Sequence, residues 1–314
     1  MRLLSVLDAL LFRFRLIIPA FFRNFVKSTT LNSNIMKRLY YLFALVLAMT
    51  LAACGAPKTD SYKVISYNIR VLTAYDTDSC HWDVRKPATI TMINQEQPDM
   101  FGLQESFLEQ TRYVETECPQ YVRIGIGNND ENESDEVMSF FYLRDKFELL
   151  DKQTVWLSET PEISSRGWDG EYNRMATFVT LRDRNNGNEI TYINTHFDHV
   201  GRVARIESAK LIVERIKALQ DNGQQAIIVG GDFNSELEDS LLTPLQEALG
   251  YARHDSPTTD NKGTFNDWGR AREGYIIDHI FYTGVTPQEY RTLDGYYGAP
   301  YISDHYPIAF TFEM

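Results

Sequence analysis

The chain has 314 residues, with 43 acidic against 31 basic side chains and a formal net charge of −12. Residues 1–54 hold seven of the basic and one of the acidic residues, so the chain beyond Cys54 stands at −18. That balance argues against a protein that grips nucleic acid through its backbone phosphates, while 260 residues suit one large α/β domain.

Residues 1–35 are basic and apolar without a clear pattern, and are consistent with an over-called start upstream of Met36. From Met36 the chain reads Met-Lys-Arg, an apolar run from Leu39 to Ala53, then Cys54-Gly55, which has the layout of a secretory signal over 36–54. The run is shorter than the roughly 20 residues a spanning helix needs. Leu51-Ala52-Ala53-Cys54 resembles the bacterial lipoprotein box, which implies export, lipidation at Cys54 and attachment to a membrane through the lipid. Residues 55–61 form a small, polar tether. Cys80 and Cys118 flank expected helices at opposite ends of a layer, so two free thiols are expected.

The folded part is expected over 62–314. Tyr62–Arg70 alternates and is β-branched, a strand ending on Asn68. A helix over about 83–96 and a strand Met100–Glu105 follow, then a helix over 106–116 and a strand over 121–126. Asn128–Glu136 reads as a solvated acidic loop. Val137–Tyr142 and Phe147–Leu157 look like the two strands of a hairpin. A strand near Arg174–Leu181 turns at Asn185-Asn186-Gly187-Asn188 into Glu189–His196. Apolar residues at helical spacing mark a long helix over Arg202–Gln220, which His199 is placed to cap. Ala226–Val229 reads as a buried strand, and Gly230-Gly231 as a sharp turn delivering Asp232 and Asn234 to its end. A helix over 239–248, a strand over Gly274–Tyr282 and a last strand over Ile308–Phe312 complete the pattern, a layered α/β sandwich.

The strand ends carry Asn68, Glu105, His196 with Asp198, Asp232 with Asn234, Asp278, and Asp304 with His305. A single acid at a strand end is usually a cap. Nine such polar residues at strand ends are costly to bury unless a shared metal and phosphate site satisfies them together.

Tyr-Asn-Ile at 67–69, Leu-Gln-Glu at 103–105, Asn-Thr-His-Phe-Asp-His at 194–199, Gly-Gly-Asp-Phe-Asn at 230–234, Ile-Asp-His-Ile at 277–280 and Ser-Asp-His-Tyr-Pro at 303–307 resemble, in order, the endonuclease/exonuclease/phosphatase family. The resemblance covers residues 61–314. It implies a four-layer α/β sandwich, two packed and mainly antiparallel β-sheets with helices outside, and divalent-metal-dependent phosphoester hydrolysis. Mg²⁺ is the usual ion, with Mn²⁺ as the alternative. Carried over by position, Glu105 binds the metal, helped by Asn68 and by Asp304 through water. Asp278 orients His305 as an imidazolium; Asp232 aligns or deprotonates the attacking water; Asn234 holds the scissile phosphate. His196 donates to a non-bridging oxygen, Asp198 stands near the phosphate, and Arg174 is either a further phosphate donor or a surface arginine. Alternation turns His279 away from Asp278 and the site.

The expected substrate is a small phosphomonoester or phosphodiester, acted on by an exported, lipid-anchored and monomeric enzyme. A nuclease acting outside the cytoplasm is the alternative, disfavoured by the charge and by the lack of a Lys/Arg run. A non-catalytic binding module is the alternative of another class. Trp168, Phe265 and Trp268 lie in the loops expected to choose the substrate, where they could stack on a ring or serve as core lids.

Overall fold

The computed structural model describes residues 59–127 and 136–314. The signal segment, Cys54 and most of the tether and acidic loop lie outside the described residues. Among the described residues no helix is long and apolar enough to cross a membrane.

Among the described residues twelve strands form two six-stranded sheets. In chain order they are β1 (Ser61–Asn68), β2 (Met100–Ser106), β3 (Tyr121–Gly127), β4 (Val137–Leu143), β5 (Phe147–Trp156), β6 (Met175–Asp183), β7 (Glu189–His196), β8 (Ala226–Asp232), β9 (Gly250–Tyr251), β10 (Asp278–Thr283), β11 (Thr286–Thr292) and β12 (Ile308–Glu313). The first sheet runs β11-β12-β1-β2-β4-β3 and the second β5-β6-β7-β8-β10-β9. Only β1 with β2 and β7 with β8 are parallel; the other pairs are antiparallel.

The sheets pack through Tyr62, Val64, Phe140, Tyr192, Ile228 and Phe310. Helices α1 (Trp82–Glu96) and α2 (Leu108–Glu117) cover the first sheet through Trp82, Met92, Ile93 and Val114. Helices α3 (Arg202–Asp221) and α4 (Thr243–Ala248) cover the second through Ile212, Val213, Ile216 and Leu245. The four layers anticipated from the sequence are therefore present. Because β8 lies between the other sheet and a helix layer, both its faces are buried, and Ala226–Val229 reads as a continuous hydrophobic run.

Several local expectations differ from the structure. β4 and β5 are not a hairpin: the turn at 144–146 carries the chain from the first sheet to the edge of the second. The segment 239–248 divides into a 3₁₀ turn, Leu237–Asp239, and α4. The strand expected from Gly274 begins at Asp278. β11 escaped notice because an edge strand is polar and tolerates a proline, here Pro287. A short helix, α5 (Ala252–Asp255), was also unmarked.

Gly230 and Gly231 are not a turn but the last residues of β8 before Asp232. They are needed for close approach: a Cβ at Gly230 would overlap Tyr192 Oη from the neighbouring strand, and one at Gly231 would overlap the Thr195 carbonyl. His199 does not cap α3. Asp169 does, its carboxylate accepting from Ala204 N at 2.7 Å and Val203 N at 3.2 Å.

Candidate active site

The strand ends of both sheets meet in one cleft. In the first sheet, Asn68 ends β1 beside Gln104 of its parallel neighbour. The register of β2 slips between Leu103 and Ser106, and Glu105 there has φ 59°, in the left-handed region. This bulge turns the Glu105 side chain into the cleft, the re-aiming that bulges perform beside functional sites. In the second sheet, His196 and Asp232 are register partners on parallel strands, and Asp278 opposes Asp232 on β10. The segment before β12 brings Asp304 and His305, tied to β1 where Ser303 Oγ donates to Asn68 O at 2.7 Å.

Asn68 joins the two sheets' acids. Its Nδ2 donates to Glu105 Oε1 at 3.0 Å and Asp232 Oδ2 at 2.9 Å, while its Oδ1 accepts from Arg70 N. His305 Nδ1 lies 2.9 Å from Asp278 Oδ2, which leaves Nε2 facing the cleft, 3.8 Å from Asp232 Oδ2. Burial opposes charging of His305, but Asp278 and Asp232 prevail and raise its pKa well above the ordinary value. Arg174 Nη1 can only donate, so His196 Nδ1, at 2.7 Å, accepts. His196 Nε2 lies 3.5 Å from Asp232 Oδ2.

Burial works to raise the Glu105 pKa, but His196, His305 and hydrogen bonds from Asn68 and Val71 bring it down to about 2. Asp232 is raised by burial and by Asp278, and Asp304 is raised chiefly by burial. One firmly ionised carboxylate thus stands among acids that lack enough positive charge. Ligand atoms of Glu105, His196 and Asp232 lie within 4.8 Å of one another, and so do those of Asp232, Asp278 and His305. Carboxylates with an acid excess are the donor chemistry that a hard divalent cation satisfies, so these residues fit a metal.

Three of the expected residues have well-defined partners of their own. Asn68 presents its amide nitrogen to the acids and its oxygen to the backbone, so it bridges Glu105 and Asp232. Asp304 is outside the Glu105 group, with Oδ2 3.4 Å from Arg70 Nη1. Asp198 is not free for substrate: its two oxygens accept from the backbone N–H groups of Glu171, Tyr172, Val200 and Gly201. It fastens the 159–173 loop to the end of β7. Arg174 is no surface residue; it is buried at the cleft wall, and its Nε has no hydrogen-bond partner. Asn234 Nδ2 donates to Phe197 O and sits 3.1 Å from His196 Nε2. His279 turns away as expected, toward Tyr251 Oη and Ser235 O.

Other residues of the cleft were missed. Arg70 reaches across it, bonded to Asp76 and facing Asp304. Its only sequence signal was its place two residues past Asn68. Glu136, the last residue of the supposed solvated loop, lies 3.4 Å from His196 Nδ1 and 3.7 Å from Arg174 Nη1. The cleft, about 730 Å³, runs from these residues outward to Tyr172, Phe265 and Trp268.

The profile of the Endonuclease/Exonuclease/phosphatase family matches residues 65–305. A crystal structure of a family member from Bacteroides thetaiotaomicron superposes with a TM-score of 0.77 at 30% identity, covering 82% of this chain and 97% of that one. A mannosyl-6-phosphatase from the same organism superposes with a TM-score of 0.75 at 31% identity, covering 79% and 98%. An uncharacterised protein of Acanthamoeba polyphaga mimivirus is 25% identical over 254 residues, 74% of this chain and 92% of the relative. The chain belongs to the endonuclease/exonuclease/phosphatase family and is a phosphoester hydrolase.

Proposed function

We propose that the protein hydrolyses a small phosphomonoester by attack of water on phosphorus, using Mg²⁺. The observation that carries this reading is the convergence, in one cleft, of the Asp278–His305 pair and the Glu105, His196 and Asp232 group, joined through Asp232. When bound, the divalent ion supplies charge neutralisation for the phosphoryl oxygens, and Glu105 is the residue best placed to hold it. His305, kept cationic by Asp278, donates from Nε2 to the phosphoryl group as negative charge grows. Asp232, whose affinity for a proton is raised, orients the attacking water and accepts its proton. His196 Nε2 and the Asn234 amide hold a non-bridging oxygen, and Arg174 adds a fixed positive charge behind His196.

The net charge of −18 beyond Cys54 and the similarity to a mannosyl-6-phosphatase support a small monoester over a polynucleotide. Export and lipidation at Cys54 fit the signal segment, and Cys54→Ser should move the protein from the membrane to the soluble fraction. Unchanged fractionation would defeat the anchor. For the chemistry, residues 55–314 should release inorganic phosphate from small monoesters with Mg²⁺ and stop with EDTA. Turnover of phosphodiesters or DNA alone would replace this reading with a phosphodiesterase or nuclease.

A further inference from the structure

The turn Asn266–Arg270 has no part in the phosphoryl chemistry, yet it forms a wall of the same cleft. Asp267 and Trp268 stand consecutively in left-handed conformations, with φ 44° and 56°. Neither is a glycine, and such backbone costs about 1 kcal/mol or more per residue, so the surroundings must impose it. They do so by fastening the turn to the catalytic segment. Asn266 Oδ1 accepts from Trp268 N at 2.8 Å, and Asn266 Nδ2 donates to Ser303 O at 3.1 Å. The backbone N–H groups of Asn266 and Asp267 both donate to the Asp304 carbonyl. The Trp268 indole is backed by the fully buried guanidinium of Arg85, 5.6 Å from its centroid. Trp268 itself remains partly exposed, as does Asp267.

This turn therefore presents one flat aromatic face and, beside it, an Asp267–Arg270 ion pair of 2.9 Å. Tyr172 also lines the cleft; it stacks on His199 at 5.7 Å and 22°, and Asp198 holds its backbone in place. A ring entering the cleft meets these aromatic side chains. At its edge it meets a carboxylate and a guanidinium, an acceptor and a donor side by side. Glu136 adds a further acceptor to the lining. A nucleobase offers few donors to such a set, whereas a sugar offers a hydroxyl at nearly every carbon and an apolar C–H face for stacking.

Building on the phosphomonoesterase reading, we infer that the alcohol half of the substrate is a monosaccharide, its ring stacked on Trp268 and its hydroxyls held by Asp267 and Arg270. The phosphate would then lie at the inner end of the cleft, beside His305, and the ring at the outer end.

The test measures affinity in a His305→Asn background loaded with Mg²⁺, so that bound esters persist. Ligands are a hexose 6-phosphate, glycerol phosphate and a nucleoside 5′-monophosphate. The hexose phosphate should bind at least about tenfold more tightly than glycerol phosphate, and Trp268→Ala should cut that ratio to about threefold or less. Asp267→Asn should weaken the hexose ester more than the glycerol ester. Equal affinities, tighter binding of the nucleotide, or a preference that survives Trp268→Ala would overturn the assignment. Phosphate release by the wild type separates the two levels. Turnover of glycerol and hexose phosphates alike leaves the phosphatase standing and the sugar site refuted. No turnover of any monoester refutes both.

Discussion

The guanidinium of Arg85 donates to the carbonyl of Ile302 at 3.1 Å, joining positions 217 residues apart. The same group also donates to the carbonyls of Ile69, Arg70 and Cys80. It is fully buried, and among the described residues no carboxylate bonds to it; burial disfavours its charge and lowers its pKa. Four carbonyl dipoles and the indoles of Trp82 and Trp268 stand in for water. Two of those carbonyls follow Asn68, and a third precedes Ser303-Asp304-His305. Arg85 thus fixes the spacing of the segments that carry the catalytic groups.

Arg85→Lys keeps a charge but cannot reach four carbonyls with a planar fork. It should lower kcat by roughly 10- to 100-fold with KM changed by less than about threefold, since misplacement affects chemistry more than capture. Arg85→Ala should also lose roughly 3–5 kcal/mol of stability from stranded polar groups. Steady-state kinetics and urea unfolding check both; a kcat like the wild type's in the lysine variant would reduce Arg85 to packing.

The Asp278–His305 pair has a different signature. Asp278→Asn removes the carboxylate that makes imidazolium the favoured form in a fully buried site. The expected loss in kcat is about 10²- to 10³-fold, the scale of losing one preorganised donor. His305→Ala should cost a similar factor, and the double variant little more than either single one, because the two act as a unit. Additive losses would mean that the residues work separately.

How much of this was legible in the sequence follows from distance along the chain. Asn68, Glu105, His196 and Asp232 could be picked out because each stands where an apolar strand closes, and Asp278 and His305 because each stands at or just before the start of one; strand ends gather at one rim of a sheet. The four layers were legible through the resemblance of the six motifs to the family. Arg85 was not, since a guanidinium on a helix face looks solvated until carbonyls from three distant segments close around it. Glu136 was hidden inside a run of acids whose composition signals solvent. Asp198 was legible as an important acid but not as an anchor, because its partners are backbone N–H groups of a loop 26 and 27 residues upstream. Gly230 and Gly231 were read from local turn chemistry, whereas Tyr192 and Thr195 on the neighbouring strand dictate them.

His279 provides a stability prediction with a defined sign. Ser235 O can only accept, so Nε2 carries the proton at 2.8 Å, and Nδ1 accepts from Tyr251 Oη at 3.0 Å. The ring is held neutral, and burial lowers its pKa to about 4. The unfolded chain takes up this proton near pH 6.5, the folded one only near pH 4. Stability is therefore complete above pH 6.5 and falls as the pH drops toward 4, by roughly 3 kcal/mol for this group. Urea unfolding of the wild type and of His279→Gln between pH 7 and 4.5 isolates it. The variant should be less stable at pH 7 and show a shallower acid slope; parallel slopes would remove His279 from the account.

A last prediction concerns the polar contacts beneath the cleft. Asn194 of β7 crosses between the sheets: its Nδ2 donates to Leu103 O and Ser139 O, both at 3.0 Å, and its Oδ1 accepts from Gln104 Nε2 at 2.7 Å. Gln104 in turn donates to Ser66 Oγ. Gly102 leaves the space, because a Cβ there would overlap the Asn194 amide. Asn194 and Gln104 are the near neighbours of His196 and Glu105 in the chain, so this link sets the separation of side chains from opposite sheets. Asn194→Ala strands buried carbonyls and a buried amide, at roughly 1–3 kcal/mol each before relaxation. The expected result is a stability loss of about 3 kcal/mol together with a fall in kcat of at least about tenfold. Asn194→Ala and Gln104→Ala should be strongly non-additive in both readouts, since the first change already removes what the second would break. Full activity in a destabilised Asn194→Ala would show that the link serves folding and leaves the catalytic spacing to other contacts.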